Sequence, residues 1–331
     1  MVPLTIPDLE GSIALLTDWL ELRAYFSGGD ARARLQELCA QEDLERDDDS
    51  TEIDVDDARL EDLAIQISVE VENRRTALGS AYPFSMSGDG ESLLIQTADK
   101  WTIGEFVYLF CLILAQASKS DIVSGVVAPL AEDLVGARDL FQVCSTLAAA
   151  SHCQGPAFSF GFPRPDSSGF LEKVKQIWTI FGDGIPRDVA LPDSPEAVKD
   201  EGIDVVSWRP QRDKKPGTHY LLAQVSSGNN WKSKSVKQSI KLFHEEWFTV
   251  LPSSPYEPAM MVPFFVEGGE MRRSTRTHGI VIDRGRLPLL ADTASALAAT
   301  GVAPIERLDE INKVKKWIVA HRDRVLAETL G

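Results

Sequence analysis

The sequence predicts an α/β protein in two parts, a mainly helical N-terminal domain over residues 1–154 and a mixed helix and strand domain over 170–300. Three observations predict it. Apolar residues recur at helical spacing through much of the first 150 positions. The stretch "GPAFSFGFPRPDSSG" (155–169) then breaks the pattern with Gly, Pro and Ser, as a linker does. Beyond it, short apolar runs bounded by turn residues alternate with amphipathic segments. A length of 331 residues suits two domains with sizeable cores.

In order, helices are predicted at 12–26 and 31–41, separated by Gly28 and Gly29, and again at 57–78, 101–118 and 129–151, with a short strand at "SLLIQ" (92–96). Residues 170–182 place Phe170, Val174, Ile177, Trp178 and Phe181 on one helix face and end on Gly182, a C-cap residue. Strands follow near "DVALP", at "GIDVVSW" and at "HYLLAQVS". Next come a helix at 232–248 and strands at 259–266 and 278–283. The second part therefore reads helix, three strands, helix, two strands. A last amphipathic helix over 304–328, within a C-terminal segment 301–331, is read as a lid or partner-binding element.

Composition bounds the function. With 44% apolar and 25% charged residues the chain has the make-up of a folded globular protein. Its longest apolar run, "FVYLFCLILA" (106–115), is short of the ~20 residues that cross a bilayer and reads as a buried helix. The N-terminus lacks a basic start, apolar core and cleavage site, so a cytoplasmic protein with no membrane partner is expected. Cys39, Cys111, Cys144 and Cys153 form no C-x-x-C pair and read as small buried hydrophobes rather than a zinc site.

The net charge of −16 is unevenly spread: residues 1–199 hold 15 basic and 34 acidic side chains, residues 200–331 hold 19 and 16. Local field decides whether a groove attracts phosphate, so the second half remains open to nucleic acid. Ten acids and one arginine lie in 42–57. This run is no calcium loop, because the sixth position from Asp47 is Glu52 where glycine is required. It reads as an acidic linker or a surface for a protein partner.

One acid stands out. Asp204, in "GIDVVSW", sits against a β-branched run, where an ionised carboxylate costs several kcal/mol unless it is paired or binds metal. On the next strand Gln224 and Ser226 are two apart and share a face. "SSGNNWKSKS" then supplies Asn229, Asn230, Lys232 and Lys234.

This element order, with an acid on one strand and polar residues two apart on its neighbour, resembles the PD-(D/E)xK restriction-endonuclease-like superfamily over residues 168–285. The helix bearing Phe170, Val174, Ile177, Trp178 and Gly182 is similar to the Mrr-type pattern. The resemblance implies an αβββαβ nuclease domain with a mixed central sheet, hydrolysing DNA with Mg²⁺, or Mn²⁺ in its place, in restriction or anti-phage defence. It assigns Asp204 and Gln224 to the metal and Ser226 to a water. Gln224 and Ser226 depart from the family's Glu and Lys, which weakens metal binding and removes a cation. Lys232 or Lys234 would restore the cation, as in related nucleases whose lysine has moved to the following helix. Lys232 is the nearer to the strand end in sequence.

Further expectations concern DNA contacts. Asn229 and Asn230 either cap the helix or touch phosphate and sugar. Lys234, Lys237 and Lys241 are spaced along one helix face and either track a phosphate backbone or face solvent. Arg272, Arg273 and Arg276 form a basic loop that could clamp nucleic acid or lie solvated. Glu172 lies about 160° from Val174 on the helical wheel and reads as a surface residue. His244 in "FHEEW" lacks the spacing of HExxH. A nuclease-like domain without catalysis, acting as a nucleic-acid or protein scaffold, is the alternative expectation.

Overall fold

The computed structural model describes residues 2–8, 11–27, 32–34, 53–88, 90–120, 122–162, 164, 166–192, 202–213 and 215–330. It is an α/β protein with a mixed five-stranded sheet and, among the described residues, nine α-helices. The chain divides into two compact units, Met1–Leu134 with Lys315–Gly331, and Val135–Val314.

The first unit contains α1 (Ile13–Tyr25), β1 (Arg32–Arg34), α2 (Ile53–Leu78), β2 (Phe84–Met86), β3 (Ser92–Ile95) and α3 (Ile103–Lys119), the strands forming an antiparallel sheet in the order β1-β3-β2. α3 starts where Thr102 Oγ1 accepts the Glu105 N–H and Glu105 Oε2 accepts the Thr102 N–H, two otherwise orphaned donors satisfied reciprocally. Its apolar run 106–115 is buried throughout, as expected. Arg74 of α2 is buried, donating to Asp18 (2.6 Å) and Glu21 (3.0 Å). Burial alone would lower its pKa, but the surrounding anions outweigh this and hold the guanidinium charged. The expected helix at 31–41 is replaced at 32–34 by β1, whose residues pair with β3; Cys39, the rest of that segment and most of the acidic run lie outside the described residues.

The second unit holds most of α4 (Ala131–Cys153), then β4 (Ala157–Ser159), α5 (Phe170–Phe181), β5 (Ile185–Pro186), β6 (Val205–Trp208), β7 (Tyr220–Val225), α6 (Val236–Trp247), β8 (Phe248–Val250), β9 (Tyr256–Met261), α7 (Gly268–His278), β10 (Ile280–Ile282), α8 (Leu287–Ala299) and the start of α9 (Ile311–Leu330). The main sheet runs β10-β9-β7-β6-β4; β4, β6 and β7 are antiparallel neighbours, and β9 and β10 are parallel to β7.

β7, α6 and β9 form one parallel crossover, because parallel strands need a long connection to return to the same end. Against one face of the sheet lies an aromatic layer in which Trp178 of α5 meets Phe243 of α6 (5.5 Å between centroids) and Phe248 (4.9 Å), while Tyr220 Oη pairs with His244 Nε2 at 2.9 Å. α5 buries Phe170, Val174, Ile177 and Trp178 and closes on Gly182 in the left-handed region at φ 78°, where glycine pays no Cβ cost. α4 meets the sheet through Ser207 Oγ, which donates to Ala149 O (3.2 Å).

Several boundaries differ from expectation. The strand expected near "DVALP" does not form; Val189 is 75% exposed, and Ile185–Pro186 instead pairs with Phe248–Val250. The strand beside β6 is β4, which precedes α5 and lies in the 155–169 stretch expected as linker. The expected basic loop is α7, with Ser274 and His278 on its buried side. The last helix begins at Ile311 rather than 304.

Candidate functional site

At one end of β6 and β7 the backbone pairing gives way to a side chain. Val205 stands opposite Ala223, so the next position outward brings Asp204 beside Gln224. There the Asp204 N–H donates to Ala223 O (2.8 Å), and Asp204 Oδ2 accepts the Val225 N–H (2.7 Å). On the β4 side, Asp204 O accepts from Phe160 N–H (2.7 Å) and Gly161 N–H (3.0 Å). Asp204 is therefore pinned from both neighbouring segments, half-buried, with its carboxylate at the sheet end.

Gln142 of α4 adds a third support. Its Nε2 donates to Ser159 Oγ (2.9 Å) and to Asp204 O (3.3 Å). A Cβ on Gly161 would lie 2.6 Å from Asp204 Oδ1 and 2.6 Å from Gln142 Nε2, so a larger residue there would force one of these side chains to shift.

Asp204 opens into a cleft of about 560 Å³. One wall comes from α4 (Val135, Arg138, Asp139, Phe141, Gln142) with Phe162, the other from the turn after β7 (Ser226, Ser227, Gly228, Asn230) with Lys234. Asp139 is committed elsewhere: Arg307 donates to both its oxygens, at 2.8 and 2.6 Å. Burial alone would lower the pKa of Arg307, but its hydrogen bonds to Asp139 and Glu310 outweigh this and raise it. That ion pair stiffens the α4 wall.

The structure brings Asp204, Ser226, Asn230 and Lys234 together and leaves the other expected residues outside the cleft lining. Gln224 does not line it. Its Nε2 lies 3.0 Å from where a Cβ on Gly202 would sit, next to Ser239 of α6, and its buried Oε1 has no hydrogen-bond partner among the described residues. Lys232 pairs with Glu270 Oε2 at 3.1 Å, and a hydrogen bond from Lys232 is the main cause of the lowered Glu270 pKa. Lys237 Nζ donates to Arg276 O (2.7 Å) and Lys241 pairs with Glu245 (3.8 Å). Of the four lysines, Lys234 alone lines the cleft with Asp204.

Other expectations resolve locally. Ser235, rather than Asn229 or Asn230, caps α6 by accepting the Gln238 N–H (3.3 Å); Asn229, Asn230 and Lys232 lie in a preceding 3-10 turn. Lys234 lies between that turn and α6, so it precedes the helix that carries Lys237 and Lys241. Trp231 is buried against Phe264 and His278. Arg272, Arg273 and Arg276 are exposed on α7, and Glu172 is exposed on α5.

The chain matches none of the protein-family models, curated proteins or solved structures with which it was compared.

Among the described residues no group of three or more His, Cys, Asp or Glu side chains is placed to hold a metal. Mg²⁺ asks less of a protein: one or two carboxylates, with waters and substrate phosphate completing an octahedron. Asp204 fits as a single carboxylate anchor, whereas the second expected ligand, Gln224, does not line the cleft. Gln142, Arg138 and Phe162 were not singled out by sequence reasoning. Gln142 lies 62 residues from Asp204, and no local spacing links them. Phe162 did carry a signal, an aromatic residue in a Gly/Pro/Ser-rich segment.

Proposed function

We propose that the unit Val135–Val314 binds DNA in the cleft of Asp204 and Lys234 and hydrolyses a phosphodiester there with Mg²⁺, as a PD-(D/E)xK-like endonuclease does. The observation that carries this reading is the Asp204 carboxylate and the Lys234 ammonium lining the same cleft, at the end of an antiparallel strand pair whose second strand enters a parallel crossover. β4 supplies the third antiparallel strand from before α5, a departure from the family's element order.

Asp204 would hold the ion together with substrate oxygens. When bound, Mg²⁺ neutralises phosphate charge and makes a bound water more acidic. Lys234 pairs with the phosphate and offsets charge that grows on its oxygens. Ser226 and Asn230 offer hydrogen bonds to water, phosphate or sugar, and Gln142 with the Phe160 and Gly161 amides keeps the Asp204 backbone fixed.

A second reading, DNA binding without cleavage, is favoured by Gln224, which stands at the family's Glu position and contributes no charge to the cleft. Incubating wild type and Asp204→Asn with duplex and single-stranded DNA in Mg²⁺ or EDTA separates the two. Loss of an outer-shell partner of a metal site costs 10- to 100-fold, so losing the carboxylate that would hold the ion should cost roughly a hundredfold or more. Metal-dependent cleavage that survives in folded Asp204→Asn rejects the site; DNA binding with no cleavage in either protein selects the second reading.

A further inference from the structure

The two walls of the cleft differ in chemistry. Ser226, Asn230 and Lys234 are polar, while in the same lining Phe162 is 55% exposed and Val135 is 70% exposed. Single exposed apolar residues are ordinary. An exposed ring sharing one cleft with a cation, a hydroxyl and an amide is a combination that can hold a nucleotide: the aromatic takes the base and the cation takes its phosphate.

Resting on the DNA-binding reading above, we propose that the cleft accepts a nucleotide that is unpaired or extruded from a duplex, with its base on the Phe162 ring and its phosphate at Lys234. A base inside a duplex is already stacked on both faces and must leave the stack before a protein ring can hold it. A cleft of about 560 Å³ is in the range of small-ligand sites, large enough for a nucleotide. The Arg164 guanidinium lies over the Phe162 ring, 5.9 Å from its centroid, so a base would stack on the opposite face of that ring. Stacking tolerates every base, so the site selects strandedness rather than sequence.

The test is equilibrium binding in EDTA, which removes cleavage, by fluorescence anisotropy with three labelled probes: a single-stranded oligonucleotide, the same sequence as a full duplex, and a single strand of abasic sites. Wild type should bind the base-bearing single strand most tightly. Phe162→Ala should weaken that probe by roughly five- to a hundredfold, as expected for one lost stack, and leave the abasic strand unchanged. Phe162→Trp should restore the affinity. Because Phe162 is exposed, these variants should keep the wild-type circular dichroism and unfolding midpoint. Equal loss on the base-bearing and abasic strands, or no loss at all, overturns the stacking role while leaving DNA binding intact. A wild type that binds none of the probes overturns the DNA-binding reading itself.

Discussion

The Val225 N–H donates to Asp204 Oδ2 at 2.7 Å, so a carboxylate oxygen takes the place of a backbone acceptor at the end of the β6 and β7 ladder. A side chain used in this way is fixed by the same backbone that builds the sheet. With Asp204 O also accepting two amides from 160 and 161, the carboxylate has little freedom to move, and a site that depends on it is organised before any ligand arrives.

That rigidity makes Gly161 a sensitive position. In Gly161→Ala the new methyl would meet Asp204 Oδ1 and both polar atoms of the Gln142 amide at 2.6 to 2.7 Å. Overpacking of this kind costs about 1–3 kcal/mol. Urea unfolding should show that loss, and DNA cleavage should fall further than the folded fraction accounts for. An alanine variant with wild-type stability and activity would show that Asp204 and Gln142 move apart freely.

Gln224→Glu restores the family's acid at a position packed beside Ser239 rather than in the cleft. A buried carboxylate without a counter-charge is costly, so the variant should lose on the order of 1–3 kcal/mol of stability and gain no affinity for Mg²⁺. Unfolding with and without Mg²⁺ checks both points. A midpoint that rises with Mg²⁺ in the Glu variant alone would place position 224 within reach of the ion.

Acid should weaken the protein in two windows. Desolvation lowers the pKa of His244 to about 4, and chiefly does the same for His321. The folded values lie below the unfolded value near 6.5, so the unfolded chain binds more protons as pH falls. Stability is full above about 6.5 and drops towards 4, by on the order of 3 kcal/mol for each histidine. Glu310, lowered to about 2 chiefly by its hydrogen bond from Arg307, has the depressed carboxylate pattern: its contribution is present above about 4.3 and is lost as pH falls towards 2. Urea midpoints between pH 7 and 4 should fall, and His244→Gln should flatten part of that fall. A flat profile in wild type contradicts the buried neutral histidines.

The elements that sequence revealed are those whose periodicity is long enough to read. α5 shows its face in Phe170, Val174, Ile177 and Trp178 and its end in Gly182, and β7 is an apolar run broken by Gln224. Three residues of β4 carry no readable period and sit among Gly and Pro, whereas "DVALP" reads as a strand although its apolar residues prove exposed. α7 begins with two glycines and buries only Ser274 and His278, which leaves no apolar stripe. Asp204 was legible because an acid beside Val205 and Val206 needs a reason. The choice between Lys232 and Lys234 was not, because sequence distance favours the first while the 3-10 turn carries it to Glu270.

The most direct test of the central claim, that a nucleic-acid phosphate sits between Asp204 and Lys234, is the salt dependence of DNA affinity for wild type, Lys234→Ala and Lys232→Ala in EDTA. Lys234→Ala should weaken binding and reduce the slope of log affinity against log salt by about one, the loss of a single phosphate contact. Lys232→Ala, whose lysine is paired with Glu270, should change the slope far less. A Lys234→Ala protein with wild-type affinity and slope, or a Lys232→Ala protein that alone loses both, contradicts the account.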